Sequence, residues 1–351
     1  MDTSTSSSYR RYVIALLALA ALAAAGWAIS LVPGQPKEPL QVTWVIAHEP
    51  VSLFDRASVI FAEEFQKRSG RPMRLTVLGP KDVSGTTAGI LSKDVVFGEL
   101  DSDRAQLASV SVGALAKSDP KIAVINLPFL FADYESAEKV FDGDIGKTLL
   151  DGVSNASSVR GLAFTFSGGF MVVESDTTSL KSAMDLQGKR VATINGQMSQ
   201  KVLRSFGAVP EAVDGTEGAV AIGARLDSYD GMELPYTRIP VEAGQKPKYI
   251  YETNHSLFTT IIVAGDAFYD SLRARERVAL DEAIARAAKA EREDSIAYGL
   301  SHRAELAASG TDIQPISASD ADALKSLANH IYDEYGKEHG FDILNAIRSS
   351  R

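Results

Sequence analysis

An early strand, helix and strand constrain the fold of this chain most strongly. Leu40–His48 and Met73–Leu78 are short apolar runs typical of buried strands, and Ser52–Ser69 between them repeats apolar residues at helical spacing. Such a unit predicts two parallel strands joined by a right-handed crossover. Ligands of parallel sheets bind beyond the carboxyl ends of the strands, which indicates His48 and Glu49 as site residues. An exposed loop is the alternative interpretation of these two residues.

A second informative stretch runs from Gly161 to Asn195. Its apolar and aromatic residues favour strand, and paired glycines interrupt them at Ser167–Gly169. We predict two extended pieces joined at these glycines, as expected where a chain passes from one lobe into another. A hairpin within one domain is the alternative. A short helix at Leu180–Leu186 and a strand at Arg190–Ile194 follow.

Composition narrows the function classes. With 351 residues the chain exceeds one small core, so two lobes are expected. The net charge of -9 argues against a nucleic-acid partner, because phosphate binding requires a basic face. The chain has no Cys, and its five His show neither HExxH nor HxH spacing. We therefore expect no metal site and no cofactor.

The N-terminal residues 1–34 have the pattern of an export signal or a membrane anchor. Arg10-Arg11 precede an apolar run, Tyr12–Val32, which ends before Pro33. The run is long for a signal peptide and long enough to cross a bilayer, which takes roughly 20 residues. Both interpretations export the rest of the chain, by the positive-inside rule. A buried core helix is the third interpretation.

Catalytic motifs do not appear in the sequence. There is no Gly-x-Ser-x-Gly elbow, phosphate-binding loop or metal cluster. Asp185 and Glu233 form a conceivable carboxylate pair, but a helix end and a turn explain Asp185. We therefore predict that the chain is not an enzyme.

Several separated phrases converge on one family. They are Leu127–Phe131 with Ile145–Lys147 behind it, Asp185–Gly188, Asp230–Pro235 and Thr253–Ser256. In this order they resemble the DctP-type solute-binding proteins of tripartite ATP-independent periplasmic (TRAP) transporters. The resemblance extends over most of the chain in colinear order, and it is specific only because the motifs occur together.

The resemblance implies a two-lobed α/β periplasmic binding protein with hinge strands and a long helix behind both lobes, preceded here by the N-terminal apolar helix. Lobe I would comprise residues 40–168 and 257–296, and lobe II residues 169–256 and 297–351. A small molecule, usually an organic acid, would bind between the lobes and pass to a membrane permease of the TRAP type. Closure around it would be a hinge motion outside the cytoplasm.

The chain departs from the family at the expected site. Members usually carry an arginine where this chain has Met171, and a carboxylate-clamping arginine where ungapped alignment places Ala192. A shift of two residues would instead place Arg190 at the clamp position, but it would disturb the spacing from Gly188 to Gly207. Losing such a charge-assisted contact costs about 1.5–3 kcal/mol. We therefore expect a solute that is less acidic or is held by other groups. Arg238 and Lys201 are candidate substitute cations, with a solvated surface charge as the alternative for each.

The candidate solute-binding residues combine strand ends with the family motifs. They are His48, Glu49, Ser109, Phe166, Met171, Ala192, Asn195, Glu233, Tyr236 and Asn254. Glu233 is the leading candidate through its motif, whereas core packing is the alternative for Phe166 and turn stabilisation for Asn254. The alternative function is a membrane-tethered sensor or interaction protein on the same scaffold.

Overall fold

A mixed sheet of ten strands carries the structure, a computed structural model that describes residues 38–83, 89–194, 196–213, 228–241 and 246–350. The strands are β1 (Leu40–Ile46), β2 (Met73–Leu78), β3 (Leu107–Ser111), β4 (Val159–Ser175), β5 (Arg190–Thr193), β6 (Val209–Ala212), β7 (Gly231–Pro235), β8 (Tyr249–Glu252), β9 (Leu257–Gly265) and β10 (Asp312–Pro315).

Helices cover the sheet, and short 3-10 turns connect several elements. The helices are α1 (Asp55–Ser69), α2 (Lys93–Asp101), α3 (Val112–Leu115), α4 (Tyr134–Phe141), α5 (Asp144–Ala156), α6 (Gly196–Ser205), α7 (Asp266–Ser271), α8 (Ala274–Ala308), α9 (Ala318–His339) and α10 (Asp342–Ser349). The 3-10 turns are Val51–Phe54, Pro120–Asn126, Ala183–Leu186 and Tyr236–Arg238.

The predicted parallel unit is present at the start of the sheet. β1 pairs in parallel with β2 on one side and with β3 on the other, so the carboxyl ends of these strands share one edge. Helix α1 connects β1 to β2 and ends at Gly70, whose φ of 66° is the left-handed conformation that glycine adopts readily. Its buried Phe61 packs edge-on against Trp44 of β1, with ring centroids 5.8 Å apart.

Strand β4 joins two sections of the sheet. Its first part pairs antiparallel with β9, which gives a first sheet section in the order β2-β1-β3-β9-β4. Its last residues, Met171–Ser175, lie between β7 and β8, which gives a second sheet section in the order β10-β8-β4-β7-β5-β6. The chain thus passes from one section to the other along a single strand.

The two extended pieces predicted around Ser167–Gly169 are one continuous strand of 17 residues with an irregularity. The register with β9 shifts between Thr165 and Gly169, where Ser167 (φ 46°) and Gly169 (φ 87°) are left-handed. The buried carboxylate of Glu291 in α8 accepts the Phe166 and Ser167 amides at 2.9 and 2.8 Å. These bonds satisfy the amides that the register shift removes from the ladder, so the strand does not break.

Helix α8 packs behind both sheet sections. It has 35 residues and is therefore about 50 Å long. Its apolar face, with Leu280 and Ile284, belongs to the same buried cluster as Trp44 of β1. Near its other end, Leu306 belongs to a cluster with Val172 and Ala192 of the second sheet section.

Two predicted helices differ from the structure. The helix predicted over Thr86–Phe97 is α2, which begins at Lys93 because Ser92 caps it by accepting the Val95 amide at 3.3 Å. The predicted helix Leu180–Leu186 is only a 3-10 turn at Ala183–Leu186. Residues 84–88 lie outside the described residues.

The described chain from Leu40 onward forms one compact unit. The predicted N-terminal apolar helix lies outside the described residues. Among those that are described, no helix combines the length and apolar character needed to cross a membrane.

Candidate functional site

A small cavity lies beyond the carboxyl ends of β1 and β3, the edge at which parallel sheets bind ligands. Its volume is about 20 Å³. It is lined by Ala47, His48, Ile90, Leu91, Val110, Ser111, Ala114, Ile194, Arg238 and Phe258. We call it the Arg238 cavity. Most of its lining comes from the first sheet section and its connections, while Ile194 and Arg238 follow strands of the second.

Arg238 places a buried and unpaired cation at this cavity. Arg238 is the last residue of the 3-10 turn that follows β7, and it is 8% exposed. None of its three guanidinium nitrogens has a hydrogen-bond partner among the residues that the structure describes. The guanidinium carbon lies 4.2 Å from the centroid of the Phe258 ring. A cation–π contact of this kind contributes about 0.5–2 kcal/mol, less than the several kcal/mol needed to bury an ion.

The electrostatics confirm that the Arg238 charge is poorly compensated. Burial lowers its pKa to about 9, and the negative charge of Glu49 partly opposes that shift. The Glu49 carboxylate is half-buried and accepts the Val51 amide at 3.2 Å. Glu49 therefore acts on Arg238 through its charge and does not line the cavity.

His48 contributes a neutral imidazole to the same cavity. Its ring is 2% exposed and sits 6.1 Å from the Phe258 ring centroid. Burial, reinforced by the charge of Arg238, lowers the pKa of His48 to about 3. Nδ1 lies 3.3 Å from the Glu49 carbonyl oxygen, and Nε2 has no hydrogen-bond partner in the described part of the chain. His48 can therefore offer Nε2 to a ligand without adding charge.

Ser111, and not Ser109, lines the cavity. The Ser109 hydroxyl is fully buried and accepts the indole N–H of Trp44 at 3.1 Å, which explains the residue by packing. Ser111 is half-buried and caps α3 by accepting the Ala114 amide at 3.2 Å. Its hydroxyl hydrogen stays available to donate to a ligand.

Glu233 lies in a separate polar network inside the second sheet section. One carboxylate oxygen accepts from Ser199 Oγ at 3.0 Å and lies 2.7 Å from His255 Nε2. Its other oxygen accepts from the Thr193 hydroxyl. Thr253 Oγ1 completes the network at 2.8 Å from His255 Nδ1. Both carboxylate oxygens are thus engaged by the protein, and the network ties β5, α6 and β7 to the segment that precedes β9.

Four further candidates are buried in packing and do not line the Arg238 cavity. Phe166 packs on Tyr134, with ring centroids 5.1 Å apart. Met171 is fully buried, and its amide donates to the Ser256 carbonyl at 2.8 Å. Ala192 is fully buried in an apolar cluster, and the Tyr236 hydroxyl in the same cluster donates to Glu252 Oε1 at 2.8 Å.

The remaining candidates lie at the surface or outside the description. Asn254 is exposed with a φ of 46°, a left-handed conformation that asparagine tolerates in turns. Asn195 lies outside the described residues. Lys201 is exposed and pairs with Glu334 at 3.3 Å, so it is a surface charge. No cluster of His, Asp or Glu suited to a metal ion occurs within the described ranges.

The sequence indicates Arg238 only weakly as a cavity residue and does not indicate Phe258. Arg238 is one of two candidate substitute cations, with a solvated surface position as the alternative. The available signal was its position three residues after the fully buried strand β7. Phe258 reads as one more aromatic in a strand, and nothing in its local pattern indicates that its ring meets a cation.

The family model for DctP, described as bacterial extracellular solute-binding protein, family 7, matches residues 61–338. The C4-dicarboxylate-binding periplasmic protein DctP of Rhodobacter capsulatus is 24% identical over 271 residues, covering 72% of this chain and 78% of that protein. The 2,3-diketo-L-gulonate-binding periplasmic protein of Escherichia coli is 25% identical over 237 residues, covering 65% of this chain and 69% of that protein.

Solved structures of the same kind share the fold. The sugar acid binding protein of Advenella mimigardefordensis, in complex with galactonate, has a TM-score of 0.77 at 22% identity and covers 90% of this chain and 100% of that one. A TRAP periplasmic solute-binding protein of Shewanella oneidensis with bound succinate has a TM-score of 0.75 at 17% identity, covering 89% and 99%. The two-lobed α/β periplasmic binding protein fold is thereby confirmed. The chain belongs to the DctP family of bacterial extracellular solute-binding proteins.

Proposed function

We propose that this protein binds a small organic acid outside the cytoplasm and delivers it to a membrane permease of the TRAP type. The observation that carries the proposal is the Arg238 cavity, which brings a buried, unpaired cation to the carboxyl-terminal edge of the sheet. The organic acids bound by the relatives support the same ligand class. Family membership supports delivery of the solute to a permease. Binding and delivery would leave every covalent bond of the solute intact.

Residues of both proposed lobes line the cavity. Lobe I comprises residues 40–168 and 257–296, and lobe II comprises residues 169–256 and 297–351. The cavity volume of about 20 Å³ is roughly that of a single water site. A solute of several heavy atoms therefore requires the lobes to separate and close again around it. Strand β4, with its irregularity at Ser167–Gly169, is the proposed hinge strand, and α8 supports both lobes from behind.

The solute is held without arginines at the two positions that family members usually use. Met171 and Ala192 occupy those positions, and both are fully buried. An arginine at Ala192 would enter the apolar cluster that also contains Val172 and Met232. The candidate contacts of the proposed site are therefore His48, Ser111 and Arg238.

A thermal-shift screen tests the proposed function. The full chain is heated with a library of organic acids, sugars, amino acids and polyols. We expect at least one acid to raise the melting temperature by several degrees, because a ligand at 100 times its Kd stabilises the folded state by about 2.7 kcal/mol.

The same screen has an outcome that contradicts transport. If no small molecule shifts the melting temperature, the sensor or interaction protein on this scaffold becomes the better interpretation. Sequencing the N-terminus of the protein from its native membrane fraction then separates a cleaved signal from an anchor at residues 1–34.

A further inference from the structure

We propose that Arg238 is the carboxylate-binding residue of this chain, relocated to the turn after β7, and that its ligand is a short monocarboxylate with an apolar body. The inference rests on the proposed function and narrows it to a ligand class and a residue.

The charge of the cavity matches one carboxylate. Arg238 brings a single positive charge and a planar set of N–H donors that no group of the described residues accepts. His48 stays neutral because burial disfavours its charged form. The described lining residues include no second cation, and Glu49, whose negative charge acts on Arg238, lies outside this lining. A second carboxylate on the ligand would therefore be buried without a partner, which selects against dicarboxylates.

The remaining lining selects for an apolar ligand body. Of the ten lining residues that the structure describes, six are aliphatic: Ala47, Ile90, Leu91, Val110, Ala114 and Ile194. The hydroxyls of a sugar acid would lose their hydrogen bonds to water against these side chains. Besides Arg238, the described lining side chains offer two polar partners, Nε2 of His48 and the hydroxyl of Ser111, so one hydroxyl or keto group beside the carboxylate can be accommodated.

Phe258 explains how the guanidinium stays in place without an acceptor. Its ring lies 4.2 Å from the guanidinium carbon and also contacts the His48 ring. The ring therefore holds Arg238 at the cavity by contacting the flat face of the guanidinium group. The N–H donors in the guanidinium plane are left for a carboxylate.

Calorimetric titration of the full chain tests the inference with five probes: isovalerate, 2-hydroxyisovalerate, the neutral isovaleramide, succinate and galactonate. We expect the wild type to bind the two short monocarboxylates at least about tenfold more tightly than the other three, the range that one charge-assisted contact provides. Preference for succinate or galactonate would overturn the monocarboxylate class.

Three variants separate a binding role from a structural one. Arg238→Met removes the charge at similar length and should weaken isovalerate binding about tenfold to a hundredfold. Arg238→Lys keeps the charge but loses the planar fork, so we expect an intermediate loss. Arg204→Met changes an exposed arginine of α6 and should leave binding unchanged.

The melting temperature of the unliganded variants gives a second readout. Because Arg238 is buried without a hydrogen-bond partner, Arg238→Met should keep or raise this temperature. A lower melting temperature with unchanged acid binding would make Arg238 a structural residue and overturn the inference. If other solutes bind the wild type while the monocarboxylates do not, the inference fails and the proposed function stands. If nothing binds, both fail.

Discussion

At the scale of single residues, buried charged side chains differ in whether the protein supplies their hydrogen-bond partners. Arg292 is fully paired, with Asp142 at 2.7 Å, Glu138 at 3.2 Å and the Phe164 carbonyl at 3.0 Å. Glu233 is likewise saturated by hydroxyls and by His255. Arg238 alone among these three has no hydrogen-bond partner. Because an unpaired buried charge is destabilising, we expect a ligand to supply the missing partner of Arg238.

The Glu233 network leads to a prediction at this scale. Glu233→Ala should lower the free energy of unfolding by about 3–5 kcal/mol, because His255, Ser199 and Thr193 lose their shared acceptor. Urea denaturation measures the change.

The matched control is Glu305→Ala in α8, an exposed carboxylate whose loss should change stability by less than about 0.5 kcal/mol. A small loss of stability in Glu233→Ala together with loss of solute binding would show instead that Glu233 contacts the solute.

At the scale of elements, β4 and α8 form the connection between the sheet sections. The irregularity in β4 leaves two amides that the Glu291 carboxylate accepts, and Ser295 donates to the same carboxylate at 2.6 Å. Burial raises the pKa of Glu291 to about 7, although these hydrogen bonds and the charge of Arg292 oppose the shift. The long helix thus fixes the position at which β4 changes partners, and the hinge movement that we propose would take place around this position.

Two glycines give a matched test of this connection. Gly169 in β4 has a φ of 87°, and a Cβ there would contact the Tyr134 hydroxyl, so Gly169→Ala should lower the free energy of unfolding by about 1–3 kcal/mol.

Gly98 in helix α2 is exposed, and an added Cβ would meet nothing within 4 Å. Gly98→Ala should therefore raise the free energy of unfolding by about 0.5–1 kcal/mol. Urea denaturation measures both free energies of unfolding. Equal changes in the two variants would mean that the left-handed backbone at position 169 does not require glycine.

At the scale of the whole molecule, the local sequence pattern predicts the positions of helices and strands better than it predicts which elements pack against each other. The strand Met73–Leu78 is found with its predicted bounds, and the parallel pairing predicted from the strand–helix–strand unit is confirmed. His48 as a solute-binding residue stays a prediction. The continuity of β4 was not predictable, because it depends on Glu291, more than a hundred residues away. The burial of Arg238 likewise depends on residues far from it in the sequence, because His48 and Phe258 come close to Arg238 only when the sheet has formed.

A crystal structure of the protein with the acid that gives the largest thermal shift would test the role of Arg238 directly. We expect the carboxylate between the two proposed lobes, with its oxygens roughly 2.7–2.9 Å from the Arg238 guanidinium nitrogens and with His48 beside it. A solute bound elsewhere, with the Arg238 guanidinium still without a partner, would contradict this expectation.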